Sequence, residues 1–174
     1  QVIASALRIT ELTEQQPEVT FPDAGSSVSE QVTLTLRDVS FSYPGQAQKA
    51  LDTLSLQANP GEHIAILGRT GCGKSTLLQL LTRAWDPQSG EILINEQPIA
   101  TLSEATLRQS ISVVPQRVHL FSATLRDNLL LAAPHAGDDA LAAMLRRVGL
   151  DKLLEDDGLN AWLGEGGRQL SGGE

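Results

Sequence analysis

From Val32 the chain alternates between apolar and polar residues. Val32, Leu34 and Leu36 fall on one side and Thr33, Thr35 and Arg37 on the other, the two-residue period of a half-buried antiparallel strand. Val39-Ser40-Phe41-Ser42-Tyr43 continues the β character to a turn at Pro44-Gly45, and Leu51, Leu54 and Leu56 predict another strand. Asn59-Pro60-Gly61-Glu62 predicts a turn. The rhythm then changes to a continuous apolar run, Ile64-Ala65-Ile66-Leu67, which predicts a buried parallel strand. Thr76 to Leu81 reads as the first turns of a helix. Beyond the loop Asp86–Gly90, Glu91–Ile94 and Gln97–Ile99 predict a hairpin turning at Asn95-Glu96. Ser103 is placed to cap a short helix through Gln109, and Ile111–Val114 predicts a strand ending at Pro115-Gln116. Helical patterns follow over Thr124–Ala133, with Thr124 as cap, over Asp138–Val148, closed by Gly149, and over Asp151–Asp156. At the front, Val2, Ile3, Ala6, Leu7, Ile9 and Leu12 have mostly helical spacing within residues 1–16, and the Pro-, Ser- and Gly-containing stretch 17–31 reads as a linker. Three textures thus succeed one another, antiparallel β, α/β and helical, and the class predicted is mixed α/β.

Composition narrows the picture. A chain of 174 residues has room for one domain with a small appendage. A formal net charge of −8 counts against a nucleic-acid-binding face. The single cysteine excludes an internal disulfide framework, and the longest apolar runs, such as Leu129–Ala133, are too short to cross a bilayer. No basic-then-apolar leader is visible, and Gln1 in place of an initiator Met gives the expectation of an excised or processed piece.

The candidate chemistry sits between the apolar run and the helix. Gly68-Arg69-Thr70-Gly71-Cys72-Gly73-Lys74-Ser75 reads G-x-x-x-x-G-K-S, the phosphate-cradling P-loop pattern. Three glycines let the backbone curl around phosphate oxygens where a β-carbon would clash. N–H groups at the helix start, Thr76 included, face an anion with the helix dipole behind them. In this pattern Lys74 reaches the β- and γ-phosphates and the Ser75 hydroxyl ligates Mg²⁺.

The motif Leu170-Ser171-Gly172-Gly173-Glu174 distinguishes among the many P-loop proteins. Together with the loop, it resembles the ATP-binding cassette (ABC) ATPases, whose signature reads L-S-G-G-Q. The resemblance runs from about Val32 to Glu174. It implies a P-loop NTPase core with an antiparallel β subdomain and a helical subdomain, truncated after the signature. Residues 32–174 would be the N-terminal part of the ATP-binding domain, and 1–16 the end of a last transmembrane or connecting helix. The resemblance also implies ATP and Mg²⁺ as cofactors. It gives Tyr43 as an aromatic against adenine and Gln116 as a Q-loop residue near Mg²⁺ and the attacking water, catalytic together with Lys74. Ser171, Gly172 and Gly173 would close over the γ-phosphate held by a second ABC ATPase domain in a head-to-tail dimer.

Ser112–Gln116, Leu120–Leu129 and Gly164-Glu165 are similar to exporters with fused membrane and ATPase domains. That similarity implies coupling helices of a transmembrane domain as further partners, no nucleic acid, and a place at the cytoplasmic face of a bacterial inner membrane. Three departures stand out: Glu174 where the signature has Gln, Cys72 in place of the loop's usual serine, and Gly166 where an Arg commonly follows the Glu. No apolar strand ending in Asp-Glu and no switch histidine is found; His63, His119 and His135 read as surface or strand-end residues. The intact protein is therefore expected to be a transport-coupled ATPase and these 174 residues alone to be inactive. The alternatives are a soluble ABC ATPase and a non-hydrolytic nucleotide-binding half of a heterodimer.

Overall fold

The computed structural model describes residues 17–23, 28, 31–116 and 118–171. The helix read over 1–16, and Gly172, Gly173 and Glu174 of the signature, lie outside the described residues. The chain divides into two units, Gln1–Val113 and Val114–Glu174.

The first unit is built on an antiparallel sheet of order β2-β1-β3-β4: β1 (Leu34–Phe41), β2 (Leu51–Ala58), β3 (Ser89–Ile94) and β4 (Gln97–Pro98). Leu36 pairs with Leu56 on one side and Ile92 on the other, so β1 is an interior strand. Thr35, expected on the polar side, is nevertheless buried, opposite the buried Leu93 of β3. The β3–β4 turn falls at Asn95-Glu96, as the pattern predicts, and both residues take positive φ (48° and 63°). Asn95 is suited to such a turn because its side chain also accepts from Thr33 N at 2.7 Å. Helix α1 (Lys74–Leu81) follows the glycine loop and buries Thr76, Leu77 and Leu80. A 3₁₀ turn (Ile99–Thr101) leads to α2 (Glu104–Ser110), capped as expected by Ser103, whose side chain accepts from Thr106 N. Leu36, Val39, Phe41, Leu77, Leu80, Ile92 and Ile94 form the core. Phe21, within the stretch read as a linker, packs on that core and lies 4.6 Å beneath the guanidinium of Arg83. Arg83 is buried and paired with Asp86 at 2.6 Å.

Two predicted strands do not form. Ile64–Leu67 and Ile111–Val114 belong to no sheet among the described residues. Leu67 and Val114 are each 91% exposed, against the burial expected of parallel strands. The cause is non-local: a parallel ladder needs neighbouring strands on its flanks, and no described strand pairs with either segment.

The second unit pairs β5 (Ala123–Thr124) with β6 (Trp162–Leu163) and carries α3 (Leu125–Leu130), α4 (Asp138–Arg147) and two 3₁₀ turns, Asp151–Leu154 and Gly158–Asn160. Thr124 caps α3 in a reciprocal capping box with Asp127. The helix stops at Leu130, three residues short of the predicted Ala133; Pro134 has no N–H to give the Leu130 carbonyl and disfavours helical backbone at Ala133. Gly149 (φ 78°) closes α4 as expected, with Leu150 N donating to Leu145 O at 2.8 Å and Gly149 N to Arg146 O at 3.1 Å, the paired bonds of a Schellman cap. The short helix expected over Asp151–Asp156 is a 3₁₀ turn. Leu125, Leu141, Leu145, Leu153, Leu159 and Leu163 form this unit's core.

Candidate nucleotide-binding site

Glycine chemistry shapes the segment Gly68–Ser75. Gly71 and Gly73 take φ of +85° and +92°, backbone that L-residues rarely adopt. A β-carbon on Gly73 would meet the Ala50 carbonyl oxygen at 2.3 Å, and one on Gly68 would meet Cys72 Sγ at 2.3 Å. The loop is therefore drawn tight against the start of β2 at one end and around Cys72 at the other. Arg69 and Thr70 lie exposed at its tip.

Lys74 opens α1. Its ammonium donates to Gly68 O at 2.6 Å and Arg69 O at 2.8 Å, and approaches Cys72 Sγ at 3.5 Å. The charge is thus held over the loop that the glycines shape. Gly73 is the N-cap of α1 and offers no side-chain acceptor, and no acidic residue occupies the first turn. The first N–H groups of the helix accordingly have no protein side chain competing for them, which is the condition an anion needs there. Ser75 is exposed in the first turn and carries a hydroxyl suited to a hard cation. The donor set fits a polyphosphate with its Mg²⁺: bare glycines, an ammonium, uncapped amides and a hydroxyl.

Tyr43 is half-buried beside α1. Its ring stands edge-on to Phe41 (centroids 5.0 Å apart, 83°) and to Trp85 (6.0 Å, 90°). Its hydroxyl donates to Gln79 Oε1 at 2.8 Å and lies 2.9 Å from Thr76 Oγ1. Sequence reading singled out Tyr43 and Thr76 but missed Gln79. The signal available was the three-residue spacing of Thr76 and Gln79, which stacks them on one face of a helix.

Of the remaining predicted residues, Gln116 is exposed on irregular backbone of the second unit, and Ser171 is exposed after β6 in that unit. A cavity of about 430 Å³ in the second unit, lined by Asp156, Asp157, Trp162 and Arg168 among others, contains none of the predicted site residues.

The fold is that of the ATP-binding domains of ABC transporters, and the family model described as ABC transporter matches residues 51–174. The chain belongs to that family. It is 75% identical, over its whole length, to the glutathione/L-cysteine transport system ATP-binding/permease protein CydC of Escherichia coli strain K12, covering 30% of that protein. To the protein of the same name in Haemophilus influenzae it is 50% identical over 177 residues, covering 31%. With the mycobactin import ATP-binding/permease protein IrtB of Mycobacterium tuberculosis H37Rv it shares 42% identity over 139 residues, 79% of this chain and 24% of the relative. A bacterial Atm1-family ABC exporter solved with ATP bound superposes with a TM-score of 0.83 at 28% identity, over 93% of this chain and 29% of that one. The chain thus spans about a third or less of the relatives it matches. No helix among the described residues is long and apolar enough to cross a membrane.

Proposed function

We propose that this domain binds Mg-ATP in the loop Gly68–Ser75 and, within a longer membrane protein, powers the export of small thiols such as cysteine and glutathione. The carrying observation is the convergence of the Lys74 ammonium with an uncapped α1 N-terminus at a loop where Gly68 and Gly73 leave no room for a β-carbon and Gly71 and Gly73 take left-handed backbone. Thiols are proposed because the relative of 75% identity is named for glutathione and L-cysteine transport.

Each residue has a role that its chemistry suits. Gly68, Arg69, Thr70, Gly71, Cys72 and Gly73 supply backbone to the polyphosphate, and the amides of Lys74, Ser75 and Thr76 continue that cradle into the helix. Lys74 neutralises charge on the outer phosphates. The Ser75 hydroxyl and the Gln116 amide oxygen would hold Mg²⁺, whose positive charge, when bound, would offset the negative charge of the phosphate oxygens. Tyr43 offers an aromatic surface for adenine. Ser171, Gly172 and Gly173 would face the nucleotide of a second ABC ATPase domain, a heterodimeric partner arranged head to tail, and coupling helices of a transmembrane domain would transmit closure. The domain would stand at the cytoplasmic face of a bacterial inner membrane.

Positioning and charge neutralisation dominate phosphoryl transfer, so residues 1–174 alone, with no Asp-Glu strand end to orient water, are proposed to be inactive. The test uses the full-length protein with its partner subunit in lipid vesicles. ATP-dependent accumulation of cysteine or glutathione, lost in K74A, supports the reading. ATP-independent movement, or a K74A variant as active as the parent, overturns it.

A further inference from the structure

Tyr43 has a second task that its ring does not perform. Its hydroxyl proton is committed to Gln79 Oε1, an oxygen that only accepts. The contact with Thr76 Oγ1 must then run the other way, with the threonine hydroxyl donating to the tyrosine oxygen. The result is a directed chain, Thr76 to Tyr43 to Gln79, fastened across successive turns of α1 on one face. Thr76 is buried and directly follows Lys74-Ser75, so the chain grips the helix at the turn that carries the candidate phosphate ligands. Tyr43 is itself held from the sheet side by Phe41 of β1 and by Trp85, the edge-on contacts fixing where its oxygen lies.

We propose that Tyr43 is a positioning residue for the phosphate site: through its hydroxyl it fixes the rotation of the α1 N-terminus against the sheet, and with it the aim of the Lys74 ammonium and the first-turn amides at a polyphosphate. This rests on the reading of Gly68–Ser75 as a nucleotide-phosphate site. It separates Tyr43 from a purely base-facing role, because a base-facing ring needs no hydroxyl whereas the hydrogen-bonded chain depends on it.

The experiment measures equilibrium binding of Mg-ATP, Mg-GTP and Mg-tripolyphosphate, which has no base, to the full-length protein and its Y43F, Q79E and Q79M variants. Y43F keeps the ring and removes only the oxygen. The expected result is a loss of about three- to tenfold, equal for all three ligands. Q79M, which removes the acceptor at an exposed position with little effect on folding, weakens all three in the same sense, and Q79E, which restores an acceptor oxygen, binds more tightly than Q79M. Wild-type affinities in Y43F overturn the proposal, as does a loss confined to the two nucleotides, which would make Tyr43 a base contact only. Equal affinities in Q79M and Q79E also overturn it. Failure of the parent protein to bind any of the three ligands is a different result, which removes the phosphate-site reading and the inference with it.

Discussion

Gly73 brings its bare α-carbon against the carbonyl of Ala50, so closely that a β-carbon would lie 2.3 Å from the oxygen and 2.9 Å from Leu51 Cδ2. Leu51 Cδ2 ends a flexible side chain and can move aside, but the Ala50 backbone cannot yield easily, since Ala50 N is itself bonded to Phe41 O at 2.8 Å where β2 joins β1. Gly71 shares the left-handed backbone but has nothing within 4 Å of its β-position. The two glycines therefore separate strain from collision. Gly71→Ala carries only the conformational penalty of about 1–2 kcal/mol, whereas Gly73→Ala adds the clash and should lose at least about 1 kcal/mol more. Thermal unfolding and ATP affinity of the two variants, compared side by side, check this. Equal losses would show that the contact with Ala50 is relieved at no cost.

Cys72 is exposed and sits within 3.5 Å of the Lys74 ammonium, inside the turn that the polyphosphate is proposed to occupy. A small alkylating reagent should therefore modify it, and saturating Mg-ATP should slow that reaction at least about tenfold if site occupancy exceeds nine-tenths. Mass spectrometry of the loop peptide reads the rate directly. Identical rates with and without nucleotide would place the phosphates elsewhere.

Local chemistry accounts for most of what the sequence disclosed in advance. The caps at Ser103 and Thr124, the close at Gly149 and the turn at Asn95-Glu96 each depend on side chains within a few residues of the backbone they serve, and all four are present. Likewise the P-loop is a contiguous run whose lysine and glycines act on one another. Reading failed where partners are remote. Ile64–Leu67 and Ile111–Val114 have the composition of buried strands, but composition does not supply the neighbouring strands that bury them. The bond from Tyr43 to Gln79 joins residues 36 positions apart, and the spacing that puts Thr76 and Gln79 on one helix face does not say what meets that face.

Thr124 engages Asp127 twice through Oγ1 at the start of α3, accepting from Asp127 N at 3.1 Å and donating to Asp127 Oδ2 at 2.7 Å. Replacing it with Ala removes both, and should lower stability by about 1 kcal/mol, while Thr124→Ser, which keeps the oxygen, should lose only a fraction of that. Chemical denaturation of the two variants distinguishes a capping effect from a packing one, because the serine lacks the methyl group but retains the hydrogen bonds.

Arg126 joins two helices of the second unit, donating from Nε and Nη2 to the two carboxylate oxygens of Asp138 at 2.8 Å each and from Nη1 to Asn160 at 2.6 Å. The hydrogen bonds from Arg126 hold the Asp138 carboxyl below its ordinary value of 3.8 and, reciprocally, Asp138 holds the guanidinium above its own. Because the folded-state value is the depressed one, the pair's contribution is fully present above the unfolded aspartate's pKa and is lost as pH falls through the lower, folded value. Both groups are open to solvent, so the effect is a modest one that salt should weaken further. Asp138→Asn should therefore lower the midpoint of thermal unfolding at neutral pH, by an amount that stays constant down to the ordinary carboxylate range and closes only below it. A gap that instead widened on acidification would mean that Asp138 is destabilising when ionised, and that Arg126 is held by Asn160 alone.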